Sequence, residues 1–321
     1  MRAAVTGAAG FVGSHLTEAL LSRGDSVLGI DKASGPNLKT ALEEPGFTFL
    51  EGDIRDPEHT MAALGSDVDV IFHLAAVVGV QNYLTSPFDV VDINVTGTRN
   101  VLGAAAESGA RVVFASTSEI YGRNPKVPWS EDDDRVLGGT QVDRWSYSTS
   151  KAAAEHLALA AHGQLGIPLT IVRYFNAYGP RQAPTYVISQ SVRLVLRGEP
   201  PVLYDGGTQT RCFTFIDDIV AGTIAAGTHD NAIGEVFNLG NSTETTMRDA
   251  IEVIIDESGS DVAWEPLTTS EAFGPAYQDI TRRIPEVSKA KSVLDWSATT
   301  PLREGVRRTL EWARNHPEWL T

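Results

Sequence analysis

A single cysteine, Cys212, stands among the 321 residues. One cysteine excludes an internal disulfide and any multi-cysteine metal site, and it fits the reducing cytoplasm. Basic residues are also scarce, with 26 Lys and Arg against 41 Asp and Glu and a formal net charge of -15. Nucleic acid and anionic membrane surfaces reward basic proteins, so neither is expected as a partner. No run of about 18 apolar residues is present to span a bilayer. Strand-like sequence starts at Arg2 and meets a glycine turn by Gly7, which leaves no signal-like stretch. No histidines or cysteines recur at metal-ligand spacing, so no metal is expected. What is present is a globular composition, 42% hydrophobic and 21% charged, in a chain long enough for one large or two modest domains.

The first half alternates short β-branched runs (residues 3–6, 26–30, 47–50, 68–73, 111–115 and 169–174) with helical periodicity over 11–23, 57–64, 88–108 and 146–166. This rhythm predicts an α/β fold with a doubly wound parallel sheet of Rossmann type. After Tyr174, proline and glycine become frequent. Residues 1–175 are therefore expected to form a nucleotide-binding domain, with return segments near 212–240 and 287–296. Residues 176–321 are expected to form mainly a smaller substrate domain. The acidic run Glu131-Asp132-Asp133-Asp134 reads as a solvated loop.

Gly7, Gly10 and Gly13 follow the first strand and open the first helix. Glycine lets a backbone approach a pyrophosphate, and a helix N-terminus offers free N–H groups and partial positive charge. The same spacing also occurs in ordinary strand-helix turns; its place in the first βαβ unit is what points to a dinucleotide. Asp31, 18 residues after Gly13 at the end of the second strand, would accept hydrogen bonds from ribose hydroxyls and so favour NAD over NADP. Asp53 and Ile54 would face the adenine. Leu74, Ala75 and Ala76 end the fourth strand with small residues that let a cofactor pass, and His73 before them reads as a packed strand-end residue.

Tyr147 and Lys151 stand four apart in a predicted helix, hence on one face. A neighbouring ammonium and the positive nicotinamide ring would both favour the phenolate and lower the tyrosine's ordinary pKa near 10 toward that of a useful base. Thr117 would align the reacting oxygen.

The strings TGAAGFVG, HLAA, DINVTGT, STSEIYG, YSTSK, RYFNAYGPRQ and RCFTFIDD together resemble the extended short-chain dehydrogenase/reductases that act on nucleotide sugars. The resemblance spans essentially the whole chain. It implies tightly held NAD, with Phe11, Val12, Asn94 and Tyr174 joining the cofactor contacts, and Thr117, Tyr147 and Lys151 as the catalytic trio. It also implies sugar-nucleotide contacts from Asn176, Gln190, Tyr204 and Arg211, and a homodimer through helices 88–108 and 146–166.

Within that family, Thr117-Ser118-Glu119 resembles the pattern of the UDP-glucuronate decarboxylases, as do the stretches around Arg144-Trp145-Ser146 and Tyr277-Gln278-Asp279. The 4,6-dehydratase pattern would put an aspartate at Ser118, and a simple 4-epimerase a small or uncharged residue at Glu119. The resemblance implies that Ser118 and Glu119 lie near C5 and the departing carboxylate, with Tyr277 and Arg283 reaching the sugar. Glu119, or a water it holds, would reprotonate C5. The product is either a UDP-pentose such as UDP-xylose or a UDP-4-keto-pentose. A 4-epimerase using the same trio is the alternative, and a non-catalytic NAD-binding scaffold is a third. One departure stands out: bifunctional members of the decarboxylase group place a basic residue within 183–189, where this chain has Tyr186.

Overall fold

The computed structural model describes residues 1–273 and 278–321. The apolar runs of the first half form β1 (Arg2–Thr6), β2 (Ser26–Asp31), β3 (Phe47–Glu51), β4 (Val70–His73), β5 (Arg111–Thr117) and β6 (Leu169–Tyr174). All pair in parallel, and a further strand, Val236–Leu239, extends the sheet alongside β6. The order is Val236–Leu239, β6, β5, β4, β1, β2, β3. The chain leaves β1 toward β2 and β3, then returns to β4 on the other side. Open α/β sheets take their ligands in the crevice that this reversal opens at the strands' carboxyl ends.

Eight helices fall between these strands: α1 (Phe11–Ser22), α2 (Pro57–Leu64), α3 (Val80–Thr85), α4 (Pro87–Asp92), α5 (Thr98–Ser108), α6 (Ser146–Leu165), α7 (Val187–Leu196) and α8 (Ile216–Thr228). Leu16 and Leu20 of α1 and Ile219 and Val220 of α8 bury one face of the sheet. Leu64 of α2, Val101 and Leu102 of α5, and Ala154 and Ala158 of α6 bury the other. Both faces are covered, as a parallel sheet requires. A small three-stranded sheet joins Thr245–Thr246, Thr210–Arg211 and Arg282–Arg283, so that Arg283 pairs with Arg211. Among the described residues no helix is long and apolar enough to cross a membrane.

Two expectations change. The continuous helix over 88–108 is broken between α4 and α5 by a wide π-type turn, Ile93–Gly97. The extra residue turns Asn94 inward: its side-chain carbonyl accepts from the Val77 N–H at 3.1 Å and its amide donates to Ser150 at 3.0 Å. The acidic run is not simply solvated either. Glu131 accepts from the Asn238 N–H at 2.7 Å, and Asp133 accepts from Ser130 N at 2.8 Å and pairs with Lys126 at 2.6 Å. Backbone donors without partners of their own capture these carboxylates.

Candidate active site

Crowding fixes the glycine turn after β1. Gly7 has a φ of +76°, and a Cβ there would stand 2.8 Å from the Ala75 nitrogen. A Cβ on Gly13 would collide with the Gly7 carbonyl, so α1 is drawn tightly against the turn. Gly7, Gly10, Phe11, Val12 and Gly13 line one end of a cleft of about 770 Å³. At its rim the Asp31 carboxylate accepts from Ala9 N at 3.0 Å and Lys32 N at 2.8 Å, which fixes it at the end of β2. A bare glycine floor, a helix N-terminus and a held carboxylate fit a dinucleotide with free ribose hydroxyls.

Ile54, Leu74, Ala75, Ala76 and Tyr174 line the same cleft, and so does Asp53. Asp53, however, is already gripped by Arg55 at 2.8 Å and Lys32 at 3.2 Å. Hydrogen bonds from Arg55 hold its carboxyl well below the usual carboxylate range. His73 is buried between the hydroxyls of Thr6 at 2.7 Å and Thr98 at 3.0 Å, and burial lowers its pKa to about 3. Thr98 donates onward to the Asn94 carbonyl, so the ring must give its Nε2 hydrogen to Thr98 and accept at Nδ1. It is a neutral packing residue.

At the other end, Thr117 closes β5 while Tyr147 and Lys151 descend from α6. Thr117 lies within hydrogen-bonding reach of Tyr147 and accepts a hydrogen bond from the Glu119 N–H at 3.2 Å. The protein's own groups do not by themselves produce the lowering expected for the tyrosine. Burial, and then the Glu119 charge, raise Tyr147 above the ordinary phenol value, while Thr117 and Arg283 pull the other way. Lys151 is itself lowered by burial to about 7, with its ammonium 4.3 Å above the Phe114 ring.

Glu119 lies between two buried arginines, Arg144 at 2.6 Å and Arg283 at 3.2 Å. Burial would raise its pKa, but the two guanidiniums outweigh burial and lower it to about 2. At neutral pH Glu119 is therefore a carboxylate and carries no proton to give to C5, contrary to the first of the two roles expected for it.

Ser118, Asn176 and Arg283 also line the cleft, whereas Asn94, Gln190, Tyr204 and Arg211 are not among its lining residues. Asn94 uses its amide behind the wall, and Arg211 pairs with Asp279 at 3.1 Å beside Arg283. Tyr277 lies outside the described residues. Three groups were not foreseen. Arg144, three residues before Tyr147, binds Glu119. Tyr83 stacks on Tyr147 with ring centroids 5.0 Å apart and planes 8° apart. Tyr186 lines the same chamber. The three-residue spacing of Arg144 from Tyr147 was the available signal for the first; the other two come from distant segments.

The chain is similar to several known proteins. A UDP-N-acetyl-alpha-D-glucosaminuronate decarboxylase from Bacillus cytotoxicus is 37% identical over 319 residues, covering 98% of each chain. UDP-glucuronic acid decarboxylase 1 of Arabidopsis thaliana is 36% identical over 323 residues, covering 98% of this chain and 70% of the plant protein. The crystal structure of UDP-glucuronic acid 4-epimerase from Bacillus cereus, in complex with UDP-glucuronic acid and NAD, superposes with a TM-score of 0.88 at 32% identity, covering 98% of this chain and 100% of that one. The NAD dependent epimerase/dehydratase family model matches residues 3–240. With that match, and with a glycine turn, held aspartate and tyrosine-lysine pair around one cleft, the chain belongs to the NAD dependent epimerase/dehydratase family and is an NAD-dependent enzyme.

Proposed function

We propose that this enzyme decarboxylates UDP-glucuronic acid. The observation that carries the reading is the charge at the catalytic end of the cleft. Glu119 is shared between two guanidiniums, and the Arg283 cation, which lines the cleft, keeps a buried Nε with no hydrogen-bond partner among the described residues. A neutral hexose leaves that charge unmatched, whereas the carboxylate of a uronic acid balances it. The decarboxylase names of two relatives support the same substrate class.

Gly7, Gly10, Gly13 and Asp31 would hold NAD, which would supply a hydride acceptor for C4 of the sugar. Tyr147 takes the proton of the C4 hydroxyl, aligned by Thr117. Burial raises Tyr147 and lowers Lys151, and the positive nicotinamide ring would favour the phenolate. The resulting 4-keto acid loses carbon dioxide as the C5–carboxylate bonding pair moves onto the ketone oxygen. Thr117 and Tyr147 donate hydrogen bonds to that oxyanion. The enolate's electron pair then returns to C5, which takes a proton from a water held against the Glu119 carboxylate, and the hydroxide left behind is neutralised by a proton from solvent. Asn176 and Arg211 bind the diphosphate, Ser118 and Arg283 face the uronate, and residues from Asn176 onward provide most of the nucleotide-sugar contacts. A homodimer through α4, α5 and α6 fits the exposure of Phe88 (79%) and Leu159 (37%).

Incubation with a panel of UDP-sugars, read by mass spectrometry, tests the proposal. UDP-glucuronic acid is expected to lose carbon dioxide; recovery of unchanged sugar or of its C4 epimer alone would overturn it. The Bacillus cereus structure gives the epimer arm its interest, and the Bacillus cytotoxicus relative makes the 2-acetamido uronate the second substrate to include.

A further inference from the structure

Tyr186 occupies the place where a basic residue was expected. It is the extended residue that precedes α7, with φ -97° and ψ 150°. Its ring is largely enclosed, and its hydroxyl hydrogen-bonds to none of the described residues although it lines the chamber that holds Thr117, Glu119, Tyr147 and Arg283. Across the chamber the hydroxyl comes to 3.5 Å from the position a Cβ on Gly79 would take. Gly79 in turn donates its N–H to Tyr83 at 3.0 Å, and Tyr83 stacks on Tyr147. The phenol thus reaches across the cleft to the backbone that leads into the Tyr83 helix. Burial, followed by the Glu119 charge, pushes its pKa up to about 12, so it stays a neutral donor at physiological pH.

We propose that the Tyr186 hydroxyl donates a hydrogen bond to the carboxylate of the bound uronate and acts as a specificity residue for that group. This rests on the uronate reading above. Negative charge leaves the carboxylate during decarboxylation and gathers on the C4 oxygen. A second cation at the carboxylate, added to Arg283, would stabilise the reactant still further over the transition state, which raises the barrier. A neutral phenol orients the same group with a weaker bond and leaves less of that penalty.

The test compares wild-type holoenzyme with Tyr186→Phe and Tyr186→Arg. Calorimetry measures binding of UDP-glucuronic acid against UDP-glucose, absorbance measures retained NAD, and kinetics separate kcat from KM. Loss of one hydrogen bond is expected to cut the preference for the uronate over the hexose about 5- to 10-fold in Tyr186→Phe, with NAD retention unchanged. Tyr186→Arg is expected to lower KM and to lower kcat by about 10-fold. Equal weakening of both sugars, or loss of NAD from Tyr186→Phe, would overturn the proposal and make Tyr186 a nucleotide or cofactor contact; an unchanged kcat in Tyr186→Arg would overturn it too. If the wild type prefers the uronate in a Tyr186-dependent way yet releases no carbon dioxide, the decarboxylase reading fails while this assignment stands.

Discussion

Arg173 and Arg283 are both buried arginines that meet a buried glutamate, yet their surroundings differ. Arg173 bonds Glu155 of α6 through Nε at 3.0 Å and Nη2 at 2.8 Å. Its Nη1 serves the Tyr121 hydroxyl and the Glu131 carbonyl, each at 2.8 Å. Charges match one to one and each nitrogen has an acceptor. At the cleft, one carboxylate meets two guanidiniums, and Nε of Arg283 is buried with no hydrogen-bond partner among the described residues. A saturated pair closes the fold. A guanidinium in the cleft wall that shares its carboxylate and keeps an unused donor has room for a ligand's.

The sharpest way to break this contrast is to cut both groups. Arg173→Met leaves Glu155 buried and alone, which is expected to cost about 3–5 kcal/mol of stability. Denaturant melts measure it, and adding Glu155→Leu is expected to restore most of the loss. If Arg173→Met left stability intact, the pair would not be structural. Glu119→Gln is expected to slow turnover by about 10²-fold, equivalent to about 2.7 kcal/mol of barrier, by loosening both arginines and the water beside C5. Its melting temperature should move less than that of Arg173→Met, and the reverse ranking would show that Glu119 mainly supports the fold.

The smallest effect concerns protons. Lys151 is lowered to about 7 from an ordinary 10.5, so between those pH values the folded chain binds fewer protons there than the unfolded one. Stability of the ligand-free enzyme should therefore rise with pH across that window relative to Lys151→Met. Glu119, lowered to about 2, contributes fully above about pH 4.5 and loses its contribution only as pH falls toward 2, so it should not shape the neutral range. Urea melts at several pH values would expose a flat difference between wild type and Lys151→Met, which would put the Lys151 ammonium in water.

Local pattern made much of this readable. Alternating runs and helical periods lie within a few residues of one another, and so the sheet, the glycine turn and the Tyr147–Lys151 face were all visible in the sequence. Arg144 was half-visible, since its spacing puts it on the face of Tyr147 but cannot say that Glu119 will reach it. Tyr83 was not visible, and Tyr186 was marked only as a departure from the decarboxylase pattern, because both reach the cleft from segments far from Tyr147 along the chain. The lowering expected for Tyr147 failed for a related reason: the four-residue spacing reports a neighbour's charge but not the burial that weakens it. Asn94 was read as a cofactor contact because the motif marks its position, whereas the inward turn that commits its amide elsewhere depends on tertiary contacts.

That inward turn has a mechanical consequence. One amide joins the Val77 backbone, which overhangs the cleft, to Ser150, whose hydroxyl donates to the Tyr147 carbonyl at 2.9 Å. The strand-end segment at Val77 and the backbone that carries Tyr147 are thus tied through one side-chain amide, in addition to the packing of Tyr83 and Val77 on the Tyr147 ring. Asn94 is therefore a brace between the cleft wall and α6, and shortening its side chain would leave those two parts held by apolar packing alone.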